Sequence, residues 1–190
     1  TSEVGMPLPL NQKMKRVSIG WTAPVFEDGR RALIVMGGVG SPALYMLAEQ
    51  LVRANADVRV FFGGRTEHDL PARDEFEALG CPVAIATDDG SAGDHGFVTV
   101  PLERELALER PARGWVLYAC GPWPMMSRVA QMAWAHNAPC YVSLEASMAC
   151  GFGICVACVV EVCDGSFASP FKYQKVCTEG PVFPAESIVW

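Results

Sequence analysis

Three cysteines stand in the run MACGFGICVACVV, at Cys150, Cys155 and Cys158, and a fourth follows at Cys177 in KVCTEGPVF. Their order, C-x4-C-x2-C-x18-C, constrains this chain more than any other feature. Three thiolates on one short loop can wrap one side of a small inorganic core while a fourth arrives from elsewhere in the fold. The first two gaps are the plant-type spacing of a 2Fe-2S cluster. Gly151 and Gly153, between the ligands, remove Cβ atoms where the backbone must curve tightly and bring N–H groups toward sulfur.

Three other readings compete: structural zinc, disulfides and free buried thiols. Zinc sites more often show two C-x2-C knuckles, whereas one knuckle and a four-residue gap stand here. Nothing marks the chain as secreted, which sets disulfides lower. Cys163 competes with Cys177 for the fourth position. Cys177 is favoured because VVEV after Cys158 reads as a short strand, and a ligand returning on a later segment closes the site better than one on the same strand. Cys81, Cys120 and Cys140 are scattered among apolar neighbours, where a buried thiol is the default.

Around this centre the chain alternates strand and helix. ALIVM from Ala32 leads through a glycine turn to PALYMLAEQLVRA, then to DVRVFF and a polar turn at GGRT, a βαβ unit. A helical stretch over 74–79 precedes PVAIAT. Then come the turn DDGSAGDHG, the apolar GFVTV, a charged helix from Leu102 to Arg110 and the strand GWVLYAC. A helix from about Met125 to His136 is followed by CYVSL and the cysteine loop. Repeated βα alternation predicts an α/β fold, a mostly parallel, doubly wound sheet with helices on both faces. A small cluster-bearing subdomain follows at the C-terminal end. The expected division is an N-terminal segment over 1–30, a Rossmann-like dinucleotide-binding domain over 31–143 and the cluster subdomain over 144–190.

With 51% hydrophobic and 19% charged residues in 190, the chain is globular and has apolar surface to spare for a partner subunit. A net charge of -6 without a lysine-rich run argues against nucleic acid. The uncharged stretch from Ala32 to Ala48 is broken by Gly37, Gly38, Gly40 and Pro42, so it is not a membrane span. The N-terminus lacks the apolar core of a signal peptide, which together with reduced, metal-binding thiols predicts the cytoplasm.

Two loops at strand ends carry further chemistry. In MGGVGSP the small residues Gly37, Gly38 and Gly40 let backbone N–H groups and a helix N-terminus approach a pyrophosphate, although such turns often serve packing alone. In YACGPWPMM the turn Cys120-Gly121-Pro122 closes a strand at the edge where open α/β sheets place ligands. Cys120 there either packs or faces a nicotinamide ring. Arg65 in GGRT could meet an adenosine ribose or phosphate, or solvent. His68, His95 and His136 share no ligand spacing, and turn formation explains Asp88, Asp89 and Asp94.

Together the GGVG loop with Pro42, GGRT, TDDGSAGDHGFVT, YACGPWPMM, VSLEASMACGFGICVACVV and KVCTEGPVF resemble the electron-transfer subunits of NAD-linked dihydroorotate dehydrogenases, within the ferredoxin reductase superfamily. The resemblance runs from about Arg31 onward. It implies cluster ligands at Cys150, Cys155, Cys158 and Cys177, and a dinucleotide side at Gly37, Gly38, Gly40 and Cys120-Gly121-Pro122. It implies electron transfer from NADH through FAD to the 2Fe-2S cluster and on to a flavin in a catalytic partner of pyrimidine biosynthesis. A flavin stands between because a nicotinamide delivers two electrons as hydride and a cluster accepts one at a time.

Two departures from that family shape the expectations. The residues ahead of Ala32 are too few for the family's flavin-binding barrel, whose R-x-Y-S signature is also absent, so FAD is expected to come from another chain, to be held by a partial site, or to be missing. The glycine loop is one residue shorter than the family's G-x-G-x-x-P, which leaves NAD(P)H binding less certain than cluster binding. The expected role is an oxidoreductase subunit in a hetero-oligomer with a flavin-bearing catalytic partner. The alternatives are a subunit of another multi-component oxidoreductase, hydrogenase-, sulfide- or ferredoxin-linked, and a zinc-stabilised scaffold without redox chemistry. Phe152, Ile154, Phe167, Phe171, Tyr173, Phe183 and Trp190 flank the cysteine loop; most of them are expected to pack the small C-terminal unit, and the segment is expected to form the main contact with a flavin-bearing partner.

Overall fold

The computed structural model describes residues 31–108, 114–163 and 171–190, so the expectations placed on 1–30, on Arg110 and on Phe167 lie outside the described residues. Seven strands form one sheet and two form a separate hairpin. In chain order they are β1 (Arg31–Gly37), α1 (Ser41–Arg53), β2 (Asp57–Gly64), α2 (Arg73–Ala78), β3 (Val83–Thr87), β4 (Asp94–His95) and α3 (Thr99–Leu108). Then follow β5 (Trp115–Cys120), α4 (Trp123–Ala135), β6 (Cys140–Ser143), β7 (Val159–Cys163), β8 (Phe171–Lys175), α5 (Val176–Glu179) and β9 (Val182–Pro184).

The sheet order is β4-β3-β2-β1-β5-β6-β9, with β1 to β6 parallel. From β1 the chain steps outward to β2, β3 and β4, then returns to lay β5 on the other side of β1. This reversal makes the crevice beyond Gly37 and Cys120 the topological switch point, where open α/β sheets bind ligands.

The period-two pattern of β1 explains the layers. Ala32, Ile34 and Met36 point to a core shared with Leu44, Leu47, Ala48 and Leu51 of α1. Leu33 and Val35 point to the opposite core, with Leu102 and Leu106 of α3 and Met126, Val129 and Met132 of α4. A strand buried on both faces needs a near-continuous apolar run, which RALIVMG supplies. The spacing of Leu44, Leu47, Ala48 and Leu51 is one helical stripe. Asn55 and Asn137, each one residue past the cap of its helix, take left-handed conformations at φ 56° and 51°, a common way to stop a helix.

Three elements depart from the sequence reading. Helix α3 begins at Thr99 rather than Leu102, because Pro101 sits in the first turn, where no intrahelical N–H partner is required. The polar turn DDGSAGDHG holds the two-residue edge strand β4, too short and too polar to show a pattern. KVCTEGPVF carries a strand as well as a cysteine: β9 pairs antiparallel with β6, Val142 opposite Phe183. Accordingly Phe183, Ala185 and Ile188 share one core with β1, α3 and α4. No helix among the described residues is long and apolar enough to cross a membrane.

Candidate metal centre and nucleotide crevice

The cysteine loop leaves β6 and returns as the β7–β8 hairpin. Register explains where its thiols fall: Val159 pairs with Lys175, so Cys158, just before β7, lies beside the exit of β8 and the start of α5, where Cys177 sits. The N–H of Cys177 donates to the Sγ of Cys158 at 3.4 Å, and the N–H of Val176 donates to the carbonyl of Cys158 at 2.9 Å. Cys163 pairs with Phe171 at the opposite end of the hairpin, five residues along the strand and roughly 16 Å from Cys158.

The other two cysteines form a second pair. The N–H of Cys155 donates to the Sγ of Cys150 at 3.4 Å. Gly151, Gly153 and Val156 all have positive φ in this turn. At Gly153, φ 89°, an added Cβ would also press on Thr178 Cγ2 at 3.0 Å, so a glycine there fits the loop against α5. The backbone N–H of Cys155, with that of Phe152, holds the Cys150 thiol down to about 6. The N–H of Cys177 lowers Cys158 in the same sense, and the Cys158 partner raises Cys177. Amides aimed at sulfur favour the thiolate, the form that binds metal.

What the fold gathers is thus two thiol pairs, Cys150 with Cys155 and Cys158 with Cys177. Among the described residues no group of three or more His, Cys, Asp or Glu side chains is gathered around one point. Two pairs of soft donors fit a two-iron core, in which each iron takes two thiolates.

At the switch point the predicted residues come together. Gly37 ends β1, a single tight turn covers Gly38–Gly40, and Ser41 opens α1 with Pro42 in its first turn. A Cβ on Gly40 would run into the Cys120 carbonyl, and one on Gly37 would stand 2.8 Å from both Pro122 Cδ and Met125 Sδ. The glycine loop and the Cys120-Gly121-Pro122 turn are therefore in direct backbone contact. An added Cβ at Gly38 would meet nothing within 4 Å, which leaves room beside the loop. Gly40, as the residue capping α1, brings no side chain to cover the first-turn amides, a place suited to phosphate. The Ser41 hydroxyl donates to the Pro71 carbonyl at 2.9 Å and so ties α1 to the loop before α2.

Cys120 ends β5 with its side chain in the core shared with α1. It is fully buried, and burial first, then the Glu145 carboxylate, pushes its thiol up to about 11, against a hydrogen bond with Ser143. Arg65 follows β2 at the same sheet edge, with 83% of its side chain exposed and Asp69 3.5 Å away. The sequence reading missed Met125, which packs under Gly37, and gave no role to Trp123, which opens α4. The second methionine and the tryptophan in YACGPWPMM were the available signals.

Comparison with known proteins covers both regions. Residues 34–131 match the oxidoreductase NAD-binding domain, and residues 145–189 match the iron-sulfur cluster binding domain of dihydroorotate dehydrogenase B. The dihydroorotate dehydrogenase B (NAD(+)) electron transfer subunit of Bacillus caldolyticus is 44% identical over 171 residues, 90% of this chain and 62% of that protein. The electron transfer subunit homolog of Aquifex aeolicus (strain VF5) is 39% identical over 162 residues, 85% of this chain and 59% of that one. The chain thus spans less than two thirds of the length of these relatives. A solved structure of NADH-dependent reduced ferredoxin-NADP oxidoreductase superposes with a TM-score of 0.72 at 33% identity, over 86% of this chain and 55% of that one. The chain belongs to the oxidoreductase NAD-binding domain family, and joined to that domain it carries the iron-sulfur cluster binding domain of dihydroorotate dehydrogenase B.

Proposed function

We propose that this chain is an electron-transfer iron-sulfur subunit that relays electrons between NAD(P)H and flavin on one side and a dihydroorotate dehydrogenase-type partner on the other. The observation that carries the reading is the division of four thiols into two pairs, held by one loop and one hairpin beside a switch-point crevice. Cys150 and Cys155 would hold one iron, and Cys158 and Cys177 the other. A cluster bound there supplies one-electron storage.

The remaining roles fall to the crevice. Gly37, Gly38 and Gly40 offer backbone N–H groups to a pyrophosphate, the Cys120-Gly121-Pro122 turn borders the nicotinamide end, and the exposed Arg65 guanidinium meets an adenosine ribose or phosphate. Residues 31–143 serve as the dinucleotide-binding domain and 144–190 as the cluster subdomain. FAD is held by groups outside the described residues. The working compartment is the cytoplasm, and the assembly is a hetero-oligomer serving pyrimidine biosynthesis.

The partner docks on the cluster loop in this reading. Phe152 is 65% exposed, and Ile154, Val156 and Tyr173 are exposed beside it, more apolar surface than one loop needs for its own packing. Phe183 is buried and takes no part, Trp190 is only 36% exposed, and the side chain of Phe171 lies outside the described residues.

A second reading follows from the superposition at TM-score 0.72: a subunit of a ferredoxin-linked oxidoreductase, with the same cluster and crevice but a different partner. Assay of one purified sample for iron, sulfide, zinc and flavin, with its visible spectrum, comes first. Iron and sulfide in equal amounts are expected, and zinc in their place would sink both redox readings. Mixing with a dihydroorotate-oxidising flavoprotein subunit then separates the two. With NAD+ and FAD supplied, dihydroorotate should reduce NAD+ to NADH in the first reading, and ferredoxin but not dihydroorotate should exchange electrons in the second.

A further inference from the structure

A cavity of about 260 Å³ is lined by Trp123 of α4 on the dinucleotide side and by Val159 and Glu161 of β7 on the cluster side, with Leu144, Glu145 and Val189 between them. Trp123 follows Pro122 directly, and Val159 follows Cys158, so each wall is one residue from a group in the proposed relay. The two walls are joined by an aromatic contact: the indoles of Trp123 and Trp190 have ring centroids 4.9 Å apart at 54°.

Trp190 is itself anchored. Its Nε1–H donates to the Ala185 carbonyl at 2.9 Å, the Val189 N–H donates to the Glu161 carbonyl at 3.1 Å, and Ile188 bridges to Val162. A continuous path of contacts therefore runs from Cys158 along β7, across to Val189 and Trp190, over to Trp123 and into the Cys120–Pro122 turn. The other face of Trp190 lines a wider groove of about 740 Å³, so it is not clamped from that side.

An aromatic pair of this kind adds little stability beside the core that already joins the two regions. Its value lies in geometry. The β6–β9 pairing and the burial of Cys158, Val162 and Val176 in the shared core fix the base of the cluster segment, and the two rings add a separate contact between the Val189–Trp190 segment bonded to β7 and the start of α4.

We propose that Trp190 is a positioning residue that, through Trp123, holds the β7–β8 hairpin and its thiols at a set separation from the Cys120–Pro122 turn. The electron-transfer half of this inference rests on the proposed relay, and the structural half does not. The test uses the full chain with its cluster, as wild type, Trp190→Ala and Trp190→Phe. Iron content and the electron paramagnetic resonance signal after dithionite should be the same in all three, because dithionite reaches the cluster without the turn.

Reduction of the cluster by NADH, with flavin present, should slow roughly 10-fold in Trp190→Ala and recover in Trp190→Phe, since displacements of an ångström or so cost one to two decades in rate. Hydrogen exchange at the β7 amides should rise roughly 10-fold in Trp190→Ala with β1 and β5 unchanged. Unchanged β7 exchange would overturn the proposal, and so would an equal rise across β1 and β5 or an unaltered rate of NADH-driven reduction. If wild type accepts no electrons from NADH the relay reading fails, while exchange at β7 still decides whether Trp190 positions the hairpin. Should Trp190→Ala not fold, Trp123→Leu removes the same ring contact from the other wall and is read by the same exchange.

Discussion

The backbone N–H of Cys177 reaches the Sγ of Cys158 at 3.4 Å, although 19 residues separate them in sequence. The β7–β8 register produces this meeting and sends Cys163 to the opposite end of the hairpin. Replacing Cys155 or Cys177 with serine should therefore strip the chain of most of its iron, since an alkoxide is a poorer match to iron than thiolate. Cys163→Ser should keep its iron. Iron and sulfide assay of the three variants checks both statements.

The contact between Gly40 and the Cys120 carbonyl makes that glycine sensitive to any side chain. Gly40→Val should push α1 away from β5, cost about 1–3 kcal/mol of stability and weaken NAD(H) binding at least roughly 10-fold. Its iron content should not change, because the thiols are carried by the loop after β6, by the β7–β8 hairpin and by α5, and none by the glycine loop. Denaturant titration and calorimetric NADH titration separate the two effects.

Phe183 is 3% exposed and joins the cluster segment to the core of the parallel sheet. Truncation to alanine should cost about 3–5 kcal/mol, as for other buried phenylalanines. Because the core is shared, β1 amides and β7 amides should lose hydrogen-exchange protection together.

Thiol labelling at pH 8 reads the environment of the other cysteines. A raised pKa keeps the thiol protonated below it, so at pH 8 the reactive thiolate is about a thousandth of Cys120, at about 11, and about a ten-thousandth of Cys140, at about 12. Iodoacetamide should modify the exposed Cys163 and leave both untouched, as peptide mass spectrometry of the cluster-loaded chain will show.

Phe152→Ala tests the docking face. Removing a ring that is 65% exposed should leave iron content and stability unaltered yet weaken partner binding by about 1–2 kcal/mol, or roughly 5- to 30-fold. Surface titration calorimetry with the partner subunit provides the number.

Patterns confined to one element were legible in the sequence. RALIVMG reads as a strand buried on both faces because five consecutive apolar residues allow nothing else between a charged start and a glycine turn. Leu44, Leu47, Ala48 and Leu51 announce the buried stripe of α1. The pairing of Cys150 with Cys155 and of Cys158 with Cys177 was not legible, because it depends on where Val159 meets Lys175, a register that no local periodicity encodes. Strand β4 was hidden since Asp94 and His95 form it only by lying against Ala86 and Thr87. Strand β9 was hidden by its own company: three residues, the last of them Pro184, set between Pro181 and an acidic turn carry no alternation. Trp123 and Trp190 lie 67 positions apart, and only the folded chain brings their rings together.

Because β6 and β9 are neighbours in one sheet, Cys150, Cys155, Cys158 and Cys177 all lie on chain threaded between two adjacent strands. The metal segment is an insertion within the sheet's edge, not a tail appended to it. Synthesis delivers β1 to β6 first, then all four thiols, and only afterwards the strand that covers β6. The β6 edge of the parallel sheet therefore stays open until all four of these cysteines have been made, and folding of the cysteine segment and completion of the sheet become one event.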